Sequence, residues 1–265
     1  MALLHDALAP LRSNPAGTAI LMDIDGTLSP IVEHADEATV PESTRQLLIL
    51  ASRRYRLVAC VSGRRASAAR AMVSIGTITY LGAHGAELLR AGWTDSKLDP
   101  ELARWIEPLS EFARRQDPGE LRRARIRIED KGVIVAFHWR GAEDESVAKT
   151  KLEQLSEQAR QTGFEVHWGR KVLEVRPPVR FDKGDGITSL IRQAGVRAAL
   201  YAGDDLTDLD AFHALASLSE AGELDYGLRV AVHSQDGPAE LELAADLVVE
   251  ETEGFHRLLA SLVAE

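Results

Sequence analysis

Near the start of the chain, apolar residues come in short unbroken runs: Ala19-Ile-Leu-Met22, Leu57-Val-Ala-Cys-Val61 and Thr79-Tyr-Leu81. Runs of this length predict strands buried on both faces of a parallel sheet. Between them, 41–52 has helical character and is opened by Pro41, and 64–72 reads as a second helix. Strand, helix, strand, helix, strand is the rhythm of a parallel α/β fold. Each run also ends in polar or glycine-bearing residues, at Asp23–Thr27, Ser62–Arg64 and Gly82–Gly85.

After Trp93 the pattern changes. The stretch 99–115 reads as one helix. Arg123-Ala-Arg-Ile-Arg-Ile-Glu129 alternates with period two, as does 133–138. With Lys131-Gly132 between them, the two predict an antiparallel hairpin with one wet face. A charged helix over 142–162 and strands over 164–168 and 172–175 complete an α+β segment. It is expected to form an inserted domain, 96–175, between core segments 1–95 and 176–265. The first rhythm resumes at Lys183, with a helix to Ala194, a strand at 198–202 and an acidic cluster after Gly203. A further helix, strands at 228–233 and 246–249 and a helix over 254–263 close the chain.

Composition narrows the function classes. A chain of 265 residues, 45% apolar and 27% charged, can bury a core without staples. A formal charge of −10 and only 5% aromatics argue against a nucleic-acid grip. Cys60 is the sole cysteine, so no intramolecular disulfide forms. No uncharged apolar run approaches the roughly 18 residues of a spanning helix, and Met1–Pro15 lacks a signal-peptide pattern. The expectation is a cytoplasmic protein with neither a membrane nor a nucleic acid as partner.

Four clusters carry candidate chemistry. Asp23 and Asp25 share one side of a strand end, where ligands of open α/β sheets bind. Crowded carboxylates there call for a cation, and Mg²⁺ suits oxygen ligands and phosphates; a plain strand-ending turn is the alternative. Ser62-Gly63-Arg64 offers a hydroxyl, and helix-start N–H groups, to a phosphate, unless Ser62 only caps the helix. Lys183 opens a helix against dipole logic, which a bound phosphate would resolve; otherwise it is a solvent-exposed lysine. Asp204, Asp205 and Asp208 put three acids in five positions without a base, as a metal site or as helix capping.

Together the four clusters resemble the haloacid dehalogenase (HAD) superfamily of aspartate-nucleophile phosphatases. Within it, Asp23–Ile31, Ser62–Arg64, Gly82–Gly85 with Glu87, and Gly203–Phe212 are similar to the motifs of the trehalose-6-phosphate phosphatase family. The inserted segment adds Glu129-Asp-Lys131, His138-Trp-Arg140 and Gly169-Arg-Lys171 with Glu174, with a register ambiguity between Arg170 and Lys171. Leu209 stands where relatives usually carry Glu, and Val232–Gly237 departs from the family pattern.

The resemblance implies an α/β fold, a HAD-like Rossmannoid parallel-sheet core with an inserted α+β cap that closes over the substrate. It implies an Mg²⁺-dependent phosphatase acting on trehalose 6-phosphate in trehalose biosynthesis. Asp23 would be the nucleophile and Asp25 the acid and base, with Ser62, Gly63, Arg64 and Lys183 on the phosphate. Asp23, Asp25, Asp204 and Asp208 would serve the metal, Asp208 directly or from outside the ligand shell. His84, Glu87, Glu129, Lys131, Arg140, Arg170, Lys171 and Glu174 would meet the sugar. Functional pairing with trehalose-6-phosphate synthase would follow. Alternatives are a phosphatase of a sucrose-, glucosylglycerol- or mannosylglycerate-type phosphate, a phosphomutase, or a non-catalytic sugar-phosphate sensor.

Overall fold

The computed structural model describes residues 2–32, 38–116, 118–169, 171–179, 181–235 and 237–264. In chain order, the first segment carries α1 (Ala2–Ser13), β1 (Thr18–Met22), α2 (Glu42–Arg54), β2 (Leu57–Val61) and α3 (Ala66–Val73). Then come β3 (Thr79–Gly82), β4 (Glu87–Leu89) and β5 (Lys97–Leu98). The middle segment holds α4 (Pro100–Ala103), α5 (Ile106–Arg114), α6 (Pro118–Arg123), β6 (Arg127–Asp130), β7 (Val135–His138), α7 (Glu145–Gln161), β8 (Glu165–Gly169) and β9 (Val172–Arg176). The last segment carries α8 (Lys183–Ala194), β10 (Ala198–Gly203), α9 (Asp208–Glu220), β11 (Tyr226–His233), α10 (Ala239–Ala244), β12 (Leu247–Glu250) and α11 (Glu251–Val263). The chain divides into two compact units, 1–97 with 181–265, and 98–180.

The first unit is built on a sheet of order β12-β11-β10-β1-β2-β3-β4-β5. Neighbours from β12 to β3 run parallel, and β4 turns back antiparallel on β3. Strand β1 is buried at every position, and its alternation divides it between two cores. Ile20 and Met22 pack with α1, α2, α3 and α11 through Leu8, Leu48, Ala69 and Phe255. Ala19 and Leu21 pack with α8 and α9 through Ile187, Leu190, Phe212 and Leu215. Layers of helix on both faces explain the unbroken apolar runs of the sequence. Strand order reverses at the β1–β10 pair, so the carboxyl ends of these two strands open the crevice where such folds bind ligands.

The second unit is an antiparallel sheet of order β6-β7-β9-β8. One face packs Val135, Phe137, Leu173 and Val175 under α5 and α7, with Leu109, Phe112, Leu152 and Leu155. Edge-on contacts of Phe164 with Trp105 and Phe112, at 5.9 and 5.5 Å between ring centroids, tighten this core. On the other face the register aligns Glu129, Ala136, Glu174 and His167 across all four strands.

Several boundaries depart from the sequence reading. The helix expected over 99–115 is two helices. Pro108 has no N–H to return to the Arg104 carbonyl, and the chain turns at Arg104 and Trp105 before α5 begins. The alternating run from Arg123 is a strand only from Arg127. Pro118 stands first in α6, and Arg125 takes a left-handed φ of 52° that ends the turn. The sequence reading passed over α1, although Leu4, Ala7, Leu8 and Leu11 have helical spacing, and also over β4.

Phe212 of α9 is fully buried and meets the Tyr201 ring edge-on, 6.2 Å between centroids. Phe212→Ala leaves a cavity there and is expected to lower stability by about 3–5 kcal/mol in urea unfolding. A shift below about 1 kcal/mol would mean the site collapses to fill the space.

Candidate active site

The carboxyl ends of β1 and β10 carry the two acidic clusters. Asp23 follows β1 directly, and its N–H bonds to the Ala202 carbonyl of β10 at 2.8 Å. The chain then turns at Gly26, with φ of 88°. A Cβ built there would lie 1.9 Å from an Asp204 oxygen, so only glycine lets the two acidic loops come this close. Thr27 donates to Asp204 at 3.4 Å from the same turn.

Lys183 is the first residue of α8 and is 3% exposed, so the solvent-exposed alternative does not hold. Its ammonium donates to Asp23 Oδ1 at 2.8 Å and to Asp208 Oδ1 at 2.6 Å. Burial pulls the ammonium down, but the Asp208 and Asp23 carboxylates more than offset this, and Lys183 stays charged. Burial pushes Asp23 up to about 7 against the pull of Lys183, with Asp208 adding to the rise. Burial, then Asp23 and Asp208, push Asp204 up to about 9. Oxygens of Asp23, Asp204 and Asp208 lie within 4.8 Å of one another, and one ammonium cannot neutralise three carboxylates.

An all-oxygen donor set with surplus negative charge fits a hard divalent cation. The three acids differ in what they have left to offer. Asp208 Oδ1 accepts from Lys183 and from the Tyr201 hydroxyl, the latter at 2.6 Å. Its Oδ2 accepts from the N–H groups of Asp204 and Asp205, both at 3.0 Å. Both of its oxygens are therefore engaged in holding Lys183 and the loop. Asp23 Oδ2 accepts no hydrogen bond among the described residues, and Asp204 has only the long contact from Thr27. These two residues have the oxygens to hold a cation. Burial and the Asp208 charge keep the Tyr201 phenol protonated and able to donate.

Asp25 directs its carboxylate to Arg64, with both bonds at 2.7 Å; the resemblance offers its main-chain carbonyl, not this carboxylate, to the metal. Ser62 follows β2, 1% exposed, and the β1–β2 register sets it level with Ile24. It does not cap the next helix, which begins at Ala66, and its Oγ accepts the Arg64 N–H at 3.2 Å. The N–H of Ala66 is taken by Glu87 at 2.7 Å, and Glu87 also accepts from Ser96, so this carboxylate supports the local fold. His84 sits at φ of 57°, with its ring so close to Gly63 that a Cβ there would lie 2.7 Å from Nε2.

In the second unit, Glu129 meets His138 at 2.8 Å. Glu174 accepts from Lys131 at 3.1 Å and from both Arg176 nitrogens at 2.5 and 3.1 Å. Arg140 is exposed in the turn that follows β7, and Lys171 pairs with Glu145. Arg170 lies outside the described residues. Sequence reasoning missed Tyr201, Thr27 and Arg176 as members of these networks. Signals for two of them were present. A tyrosine in a fully apolar strand needs a partner, and Arg176 shares the strand face of Glu174.

The trehalose-phosphatase family model matches residues 21–243, which include every acid and base of the core cluster. The chain belongs to the trehalose-phosphatase family. It is 32% identical over 226 residues to a trehalose-phosphate phosphatase of Mycobacterium avium (strain 104), covering 81% of this chain and 57% of that protein. The chain spans less than two thirds of the length of other curated relatives too, 63% of one from Zea mays and 15% of two from Mycobacterium tuberculosis. A crystal structure of a trehalose-6-phosphate phosphatase related protein shares the fold, with a TM-score of 0.74 at 22% identity over 92% of this chain and 96% of that one. A haloacid dehalogenase-like hydrolase from Bacteroides thetaiotaomicron superimposes with a TM-score of 0.61 at 17% identity over 92% and 98% of the two chains. The family's fold, a mostly parallel HAD-like sheet, is the fold of this chain. Among the described residues, no helix is long and apolar enough to cross a membrane.

The bonding pattern separates Asp208 from Asp25. Removing Asp208 leaves Lys183 with Asp23 as its one carboxylate and takes the acceptor from the Tyr201 hydroxyl and from two N–H groups. Asp208→Ala is expected to lose about 3–5 kcal/mol of stability, as for a broken buried ion pair. Asp25→Ala, whose side chain is 39% exposed, should stay within about 1 kcal/mol of the parent. Equal urea midpoints for Asp208→Ala and the parent would overturn the structural role of Asp208.

Proposed function

We propose that the chain is a phosphatase that hydrolyses trehalose 6-phosphate through an aspartyl-phosphate on Asp23. The observation that carries this reading is the buried Asp23–Lys183–Asp208 chain beside Asp204, in a member of the trehalose-phosphatase family. Lys183 fixes the Asp23 carboxylate through Oδ1, so that one of its oxygens is oriented to attack phosphorus in line. The P–O bond to Asp23 forms as the bond to the sugar oxygen breaks, and Asp25 gives that oxygen a proton. Water then attacks the aspartyl-phosphate. Asp25 takes the proton of that water, and Asp23 is regenerated. The Lys183 ammonium and the Ser62 hydroxyl stabilise the charge that develops on the transferring oxygens.

Asp23 and Asp204 would hold Mg²⁺, which supplies neutralising charge and a fixed geometry for the phosphoryl oxygens. The second unit carries, on its polar sheet face, the residues that would meet the sugar hydroxyls. Glu129 and Glu174 share that face, and His138, Arg176 and the nearby Lys131 tie them into two hydrogen-bonded groups. Paired charges of this kind hold hydroxyl-binding atoms in place and are left unsatisfied by a sugar lacking the matching hydroxyls.

The decisive experiment is a phosphate-release screen over sugar phosphates, with Asp23→Asn as the blank. Trehalose 6-phosphate is expected to exceed sucrose-, glucosylglycerol- and mannosylglycerate-type phosphates by at least about tenfold in kcat/KM, a difference of roughly 1.4 kcal/mol in transition-state binding. Higher activity on another member of the panel would reassign the substrate. Undiminished turnover by folded Asp23→Asn would remove the nucleophile.

The shifted acids give a second test. Asp23 and Asp204 both stand above their ordinary value of 3.8, so the folded metal-free protein holds protons that the unfolded chain releases. Stability of the metal-free protein should therefore fall as pH rises from about 4 through 7 towards 9. Mg²⁺ must displace those protons, so its affinity should rise over the same range. Near neutral pH, binding should therefore release protons to the solvent. Calorimetry in two buffers of different ionisation enthalpy measures this, and zero release would refute the assigned ligands.

A further inference from the structure

The arginine run that the phosphatase reading does not use lies at an open sheet edge. In the second unit β6 is the outermost strand, and among the described residues it bonds β7 alone. The Lys131 N–H bonds the Ile134 carbonyl at 2.8 Å, and bonded and non-bonded pairs alternate along an antiparallel ladder. Ile128 and Asp130 therefore turn their N–H and C=O groups away from β7, towards the free edge. Natural proteins usually blunt such edges with a bulge, a proline or a cover.

Beside this edge runs a groove of about 460 Å³, lined by Pro118, Leu121 and Arg122 of α6 and by 125–128. Leu121 and Ile126 form an apolar floor. Around it, Arg122, Arg123, Arg125 and Arg127 are all exposed. Arg125 pairs with Glu143 at the surface, and neither Arg123 nor Arg127 makes an ion pair among the described residues. Four exposed arginines within six positions, on a chain of formal charge −10, form a local positive field that opposes the rest of the molecule. The field ends at Glu129 and Asp130, which give the far end of the edge the opposite sign.

We propose that this edge binds an extended acidic segment of a partner protein by strand addition. The backbone of that segment pairs with Ile128 and Asp130. Its apolar side chains enter the groove over Leu121 and Ile126. Its acidic residues lie against the arginines, and its other half is uncharged where it passes Glu129 and Asp130. Backbone pairing gives affinity in this mode, while the groove and the charge give selectivity. The proposal is independent of the catalytic reading, and the two arginines changed in its test have no part in that reading.

The probe is a short fluorescein-labelled peptide with Glu alternating with Val in one half and Thr alternating with Val in the other, followed by fluorescence anisotropy. Saturable binding that weakens with added salt is expected. Arg122→Glu/Arg125→Glu, folded by circular dichroism, should weaken it by at least about tenfold. The same peptide N-methylated at alternate residues cannot pair and should lose binding to a similar degree. The proposal is overturned by absent binding, by equal binding to the double variant, or by equal binding of the N-methylated peptide. Equal binding of poly-glutamate would reduce the surface to ion exchange and also overturn it. A concentration-dependent dimer abolished by the double variant would assign the edge to a second copy instead.

Discussion

One buried ammonium organises the carboxyl end of the sheet. Lys183 lies between Asp23 and Asp208 with almost no access to water, and its charge makes the presence of both carboxylates there tolerable. A buried ion pair is stable only when its remaining donors and acceptors are satisfied. Asp208 meets that condition, with the Tyr201 hydroxyl and two backbone N–H groups completing its shell. The ammonium thereby joins the end of β1, the start of α8 and the turn between β10 and α9. A lysine at a helix start, awkward by dipole reasoning, is explained by two neighbouring acids rather than by the helix.

The two acids of the first motif stand two positions apart in different environments. Asp23 is buried, beside an ammonium and two carboxylates, and its acidity is suppressed. Asp25 is partly exposed and gripped by the Arg64 guanidinium at both oxygens. One strand end thus presents one buried and one partly exposed carboxylate. Gly26, the next residue, lets the chain reverse and brings Asp204 against the same turn.

The sequence was most legible where a single physical signal decided the outcome. Unbroken apolar runs located β1, β2, β3 and β10, because burial on both faces removes polar alternation. The acids and Lys183 were legible because charge at the end of an apolar run is unusual. The bonds among them were not. That Asp25 turns to Arg64, or that Tyr201 donates to Asp208, depends on which strands become neighbours, and the strand order emerges only on folding. Local patterns also misled where two of them competed. Arg and Ile alternate from Arg123, yet Pro118 had already begun a helix that runs to Arg123. In the 99–115 stretch, helical spacing continued across Pro108, whose missing N–H divides it.

Asp23 and Lys183 are separated by 160 positions of chain. During synthesis, β1 therefore leaves the ribosome long before β10, the strand that covers one of its two edges. Until then the nascent chain carries a raw parallel edge and an acidic motif with no counter-ion, a state prone to wrong pairing. Contacts of such high sequence separation close late and slowly. The second unit, whose strands pair within 98–180, has all its partners earlier. The acidic cluster is thus completed only once the chain has passed Asp208, and a truncated chain that keeps Asp23 but ends before Lys183 has no means of assembling it.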